Sequence, residues 1–132
     1  MDAEMGEISP GYEKVIFIID DEAEIGEILQ KAIMQQTNYQ VLWMGDTDAV
    51  LRAAPYLHPS LILLDYMLPQ MNGLDLFDCL QANEHLRNVP VILMSGRESI
   101  PFEALRDRGI YLLKKPFELT DLLDMLAHLL TK

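Results

Sequence analysis

Residues 61–73 read Leu61-Ile62-Leu63-Leu64-Asp65-Tyr66-Met67-Leu68-Pro69-Gln70-Met71-Asn72-Gly73. Four apolar residues in succession match a strand buried on both faces, the pattern of a parallel sheet covered by helices. The strand stops at a carboxylate, and a loop punctuated by Pro69 and Gly73 follows at once. In open parallel sheets the crevice beyond the carboxyl ends of the strands is where ligands bind. Asp65 is therefore placed on a rigid support at the reactive edge.

Other strands end in the same way. Val15-Ile16-Phe17-Ile18-Ile19 leads into Asp20-Asp21, Val89 to Met94 leads into Ser95, and Tyr111 to Leu113 runs into Lys114-Lys115-Pro116. Three acids, a hydroxyl and an amine then converge on one edge. That set suits transfer of a phosphoryl group to a carboxylate beside a divalent cation.

Between the strands lie helical patterns. Asp21 is a plausible N-cap for a first helix in which Ile25, Ile28, Leu29, Ala32 and Ile33 recur at helical spacing. Tyr39 to Met44 forms the remaining strand. A helix from about Asp46 aligns Val50, Ala53, Ala54 and Leu57, and one opening at Gly73 carries Leu74, Phe77 and Leu80. The last, from about Leu119, turns Leu122, Leu123, Leu126 and Leu130 to the core. Pro101 is tolerated only in a first helical turn, so the fourth helix is expected to be short or distorted, over Phe102 to Arg108. Five strands alternating with helices predict an α/β fold, a five-stranded parallel sheet with helices on both faces.

Composition narrows the function classes. The chain has 132 residues, half of them hydrophobic, enough for one domain with its own core. Residues 1–13 read as a flexible leader and residues 14–132 as the domain. A net charge of −11 argues against nonspecific binding to nucleic acid or anionic membrane. The single Cys79 cannot form an internal disulfide and reads as a small buried hydrophobe. Neither a signal peptide nor a membrane-length apolar run is evident, so a cytoplasmic location is expected. His58, His85 and His128 lack metal-ligand spacing. Asp75 and Asp78 read as a solvated helix face.

The combination of Asp20-Asp21, Asp65, Ser95-Gly96 and Lys115-Pro116, each at its strand end, resembles the response-regulator receiver domain of two-component signalling. The resemblance runs from Lys14 to Lys132. It implies a flavodoxin-like sheet of order 2-1-3-4-5. It also implies that Asp65 accepts a phosphoryl group from a histidine kinase or phosphotransfer protein. Asp20, Asp21, Asp65 and the backbone carbonyl of Met67 would hold Mg²⁺. Lys115, after which a cis peptide bond to Pro116 is implied, would pair with the phosphoryl oxygens. Ser95 would bond one of them after transfer, and Gly96 would leave room for its approach.

Each residue also has a plainer reading. Asp20-Asp21 could merely cap a helix, Ser95 could close a turn, and Lys114 competes with Lys115, although strand alternation lets only one of them reach the site easily. Two features depart from the family pattern. Leu112 stands where the family places an aromatic switch, with Tyr111 one residue earlier, and the span from Ser95 to Lys115 is short. Met67 and Arg97 occupy positions expected to tune phosphate lifetime.

The chain reads as a signalling module rather than an enzyme with a separate substrate, promoting only its own phosphorylation and dephosphorylation. The alternative is a pseudo-receiver that binds partners independently of phosphorylation. An aspartyl-phosphate phosphatase of the haloacid-dehalogenase type would want Asp-x-Asp at the nucleophile, and Asp65-Tyr66-Met67 does not supply it. The downstream partner and the oligomeric state are left open.

Overall fold

The computed structural model describes residues 14–131. The expected leader therefore lies outside the described residues. Five strands, β1 (Val15–Ile19), β2 (Gln40–Met44), β3 (Leu61–Asp65), β4 (Val91–Ser95) and β5 (Tyr111–Lys114), form one parallel sheet in the order β2-β1-β3-β4-β5. The helices between and after them are α1 (Ala23–Gln36), α2 (Thr47–Ala53), α3 (Gly73–Leu80), α4 (Phe102–Arg108) and α5 (Leu119–Leu130). This is the flavodoxin-like arrangement, and all five residues of β3 and of β4 are buried.

Strand alternation sorts the core into two layers. On one face Ile16, Ile18, Leu61, Leu63, Ile92 and Met94 pack with Leu29 and Ile33 of α1 and Leu122, Leu126 and Leu130 of α5. On the other, Phe17, Ile19, Ile62, Leu64, Val91 and Leu93 pack with α2, α3 and α4 through Val50, Leu76, Phe77, Leu80 and Leu105. Successive side chains on a strand point to opposite faces. The same alternation, continued past the strand ends, directs the polar residues there.

Several local expectations are corrected. The N-cap of α1 is Glu22 rather than Asp21, and it is the Asp20 carboxylate that accepts from the Glu22 N–H at 2.9 Å. Ile28 is 63% exposed, because the buried stripe of α1 runs through Gly26, Leu29 and Ile33 and leaves Ile28 to one side. Cys79 is exposed, since Gly73, Leu76, Phe77 and Leu80 already form the buried face of α3. Asp78 is not simply solvated: both its oxygens accept from Arg108 at 2.9 Å, tying α4 to α3. β4 starts at Val91 instead of Val89, because Val89 closes a turn onto the Leu86 carbonyl and Pro90 has no N–H for the ladder.

The fourth helix is short, as its proline implies. Pro101 is its N-cap and seven residues follow. The next helix is better secured. Glu118 and Asp121 form a reciprocal capping box at the start of α5.

Candidate functional site at the carboxyl edge of the sheet

The parallel ladder pairs Ile18 with Leu63 and Ile19 with Leu64. One step further along, the same register sets Asp20 beside Asp65. Asp20, Asp65 and Lys115 all continue the parity of the strand residues facing α1 and α5, so their side chains leave the sheet on one side. Carboxylate oxygens of Asp20, Asp21 and Asp65 lie within 4.8 Å of one another. Lys115 Nζ donates to Asp65 Oδ1 at 2.9 Å. Lys114 pairs with Ser95 in the ladder and is exposed, so of the two lysines Lys115 is the one at the cluster. The Lys115–Pro116 bond is cis.

Burial sets the electrostatics. Asp20 has no solvent exposure and Asp65 only 3%. Desolvation pushes the Asp20 carboxyl up to about 6, against the hydrogen bond from Glu22, with the negative charge of Asp65 adding to the rise. Burial likewise raises Asp65, more than its hydrogen bond and ion pair with Lys115 lower it. Burial works against the Lys115 charge, but the Asp65 hydrogen bond and charge, then Asp20, overcome it, and its pKa is raised. Asp20 Oδ2 is buried without a hydrogen-bond partner. An orphaned carboxylate oxygen among three crowded acids, only one of them bonded to a lysine, fits a hard divalent cation bound through oxygen.

The loop after β3 is held close to this cluster. Gly73 N–H donates to the Tyr66 carbonyl at 2.7 Å, and Tyr66 N–H donates to Met94 O at 2.9 Å. A Cβ on Gly73 would stand 2.7 Å from the Asp65 carbonyl oxygen, so glycine alone lets the start of α3 approach the strand end. Asn72 caps the helix by accepting from the Asp75 N–H at 2.8 Å. Met67 is exposed in this loop.

Ser95 is buried at the end of β4 on the opposite parity, and its hydroxyl donates to Glu98 Oε1 at 2.9 Å. Gly96 N–H donates to the same oxygen, also at 2.9 Å. Bonds from its own backbone N–H and from Ser95 hold the Glu98 carboxyl below its usual range, with Lys115 pulling the same way. Leu112 pairs with Leu93 and so shares the Ser95 face, whereas Tyr111 pairs with Ile92 and lies against α5 beside Met125 and Leu129. Tyr111 is on the wrong side of the sheet to stand in for the missing aromatic at position 112.

Two residues of this region were not anticipated from the sequence. Glu98 is one acid among several in a loop, and no local pattern distinguishes it. Trp43 is the single tryptophan, which marks it in the sequence, but its partners Asp20 and Gly26 are brought to it only by the fold. Its Nε1–H donates to the Asp20 carbonyl at 2.8 Å. A Cβ on Gly26 would fall 2.4 Å from that nitrogen. Gly26→Ala is therefore expected to destabilise the fold by about 1–3 kcal/mol through overpacking, despite alanine's better helix propensity. Urea unfolding would measure it. A neutral or stabilising result would mean that the indole can move away without cost.

Comparison with known proteins bears on this site. Residues 16–127 match the family described as the response regulator receiver domain. The DNA-binding response regulator MtrA of Mycobacterium tuberculosis is 33% identical over 82 residues, 62% of this chain and 34% of that protein. The phosphate regulon transcriptional regulatory protein PhoB of Pseudomonas aeruginosa is 31% identical over 121 residues, 90% of this chain and 52% of that protein. The chain thus spans between a third and about half of the length of these relatives. Among solved structures, the receiver domain of the P. aeruginosa sensor histidine kinase PA1611, which has a magnesium ion coordinated in its active site cleft, superposes with a TM-score of 0.72. It is 22% identical, and the match covers 91% of this chain and 99% of that one. Among the described residues no helix is long and apolar enough to cross a membrane. With the sheet order, the strand-end acids and the match over residues 16–127 in agreement, the chain belongs to the response regulator receiver domain family of two-component signalling.

Proposed function

We propose that the chain accepts a phosphoryl group on Asp65 from a histidine kinase or phosphotransfer protein, and that the modified site reshapes the surface around Ser95 and α4. The observation that carries this reading is the Asp65 carboxylate, buried at a strand end, paired with Lys115 and crowded by Asp20 and Asp21. In the reaction an Asp65 oxygen attacks phosphorus, the bond from phosphorus to the donor's imidazole nitrogen breaks, and an acyl phosphate remains on the protein. Hydrolysis later returns inorganic phosphate and the free carboxylate.

A bare carboxylate meets an anionic phosphoryl group with repulsion, so positive charge must be arranged around both. Lys115 supplies one such charge and orients it through its bond to Asp65. Asp20, Asp21 and Asp65, with the Met67 carbonyl, would hold Mg²⁺, in line with the orphaned Asp20 Oδ2. When bound, the cation would neutralise charge on the transferring group. The magnesium of the PA1611 receiver domain lends this assignment support by analogy. Exposed Met67 and Arg97 would govern water access to the acyl phosphate and hence its lifetime.

A donor protein must place its phosphohistidine against Asp65. Beside Lys115 lies a groove of about 540 Å³ lined by Ile25, Ile28, Leu29, Pro116 and Phe117. The apolar wall, with Arg97 and Lys115 beside the single acid Glu22 in the rest of the lining, suits a donor helix that carries a phosphorylated histidine among apolar residues.

The test is intact mass after incubation with acetyl phosphate and Mg²⁺. A single phosphoryl adduct is expected, and chelation with EDTA should suppress its formation. An adduct that forms equally well in EDTA would remove the metal from the proposal. Absence of any adduct, from acetyl phosphate and from kinases alike, would leave the protein a phosphorylation-independent binding module.

A further inference from the structure

Glu98 folds back onto the end of β4 and occupies two hydrogen-bond donors there. One of its carboxylate oxygens takes two donors at once, the Ser95 hydroxyl and the Gly96 N–H, both at 2.9 Å. These groups stand at the end of β4, next to the end of β3 where Asp65 sits, since Met94 pairs with Asp65. The Lys115 N–H closes onto the Ser95 carbonyl at 2.7 Å, so the amine chain that reaches Asp65 departs from the same spot. A hydroxyl and a backbone N–H that share one acceptor, with the Lys115 charge close enough to act on it, are a donor set suited to an anion. In the unmodified chain that anion is supplied internally.

We infer that Glu98 is an internal competitor for the phosphoryl group, holding the Ser95 hydroxyl and the Gly96 N–H until a phosphoryl group on Asp65 displaces its carboxylate. The inference rests on Asp65 being the acceptor. It makes a distinct claim about what the phosphoryl group must evict. The exchange is geometrically accessible, because Glu98 is only partly buried and lies in the segment between β4 and α4 that belongs to neither element. It is also directional. A phosphoryl group brings nearly two negative charges to donors that a single carboxylate held, and like charges disfavour joint occupancy.

Displacement would free the main chain from Arg97 to Ile100, which leads directly into the short helix α4. Ordinarily an aromatic at the Leu112 position would follow the serine inward, and here it is absent. The release of Glu98 supplies another way to carry the change at Asp65 to the surface, through a loop rather than a ring.

Beryllium fluoride, a phosphoryl mimic that needs no covalent step, provides the test. Its affinity in the presence of Mg²⁺ would be measured by isothermal titration calorimetry for the full chain and for Glu98→Ala and Glu98→Gln. Removing one charge-assisted competitor should tighten binding by about three- to tenfold in both variants. Ser95→Ala with Glu98→Ala should lose most of that gain, since the hydroxyl being competed for is gone. Circular dichroism melts would establish that each variant folds. If the parent chain binds beryllium fluoride and the Glu98 variants bind it equally or more weakly, the competitor role is overturned while the acceptor reading stands. Failure of every protein to bind while Mg²⁺ still binds would overturn the acceptor reading, and the Glu98 role with it.

Discussion

Asp65→Asn is expected to abolish the phosphoryl adduct, slowing its appearance by more than about a thousandfold. The reason lies in the electron supply at the attacking atom. An ionised carboxylate offers a charged oxygen, whereas an amide oxygen is neutral and shares its electrons with nitrogen. Size and shape hardly change, so the packing around β3 should survive, and Lys115 is exposed enough for water to solvate its ammonium when its partner is lost. A time course of intact mass with acetyl phosphate, alongside a thermal melt, separates loss of chemistry from loss of fold. Persistence of a full-rate adduct in the variant would transfer the acceptor role to another residue.

The second large effect has opposite signs for stability and for metal binding. Asp20 is fully buried and its carboxyl titrates near 6, against an ordinary 3.8. A carboxyl whose folded-state pKa is raised holds its proton more tightly when folded. Its contribution to the metal-free protein is thus fully present below about 3.8 and disappears as pH climbs through about 6. The rise of Asp65 acts in the same direction. The raised pKa of Asp20 is therefore stability forgone at neutral pH.

Asp20→Asn removes the buried charge yet keeps an oxygen that can accept from the Glu22 N–H. The variant should therefore melt higher than the parent at pH 7.5 without metal, by several degrees, and the difference should shrink towards pH 4.5. Added Mg²⁺ should raise the melting temperature of the parent and leave that of the variant almost unchanged. Calorimetric melts at the two pH values, with and without Mg²⁺, would read both effects. A variant that melts lower than the parent at pH 7.5 would show that Asp20 contributes more by its bonds than it costs by its charge.

Much of this site could be read from the chain because strand ends are where local pattern and global topology coincide. The apolar runs ending at Ile19, Leu64 and Met94 marked the sheet, and the first polar residue after each fell at its carboxyl edge. Alternation, a local rule, allowed only one of Lys114 and Lys115 to reach the site; the Lys115-Pro116 pairing of the family pattern chose Lys115, and the structure sets its amine against Asp65. What escaped depends on how elements are rotated or how loops fold back. Ile28 belongs to an apolar periodicity, yet the rotation of α1 turns it outward. Cys79 is excluded from the core by the choice of Leu76 and Leu80 as the inward residues. Glu98 reaches Ser95 through a turn whose shape no residue type announces, and Trp43 meets Asp20 only because Gly26 leaves a space in a helix distant in sequence.

That last contact gives the protein a built-in optical probe. Trp43 is the single indole in the chain, and its ring nitrogen is tied to the backbone of a residue in the acidic cluster. Emission under selective excitation therefore comes from one place, the end of β2 where the indole meets the backbone just after β1. Any event that pulls on the Asp20 carbonyl or changes the field across it will alter the colour or yield of that light. Occupancy could be followed in real time, in unlabelled protein and in a stopped-flow cell, with no dye attached near the groups whose behaviour is being watched.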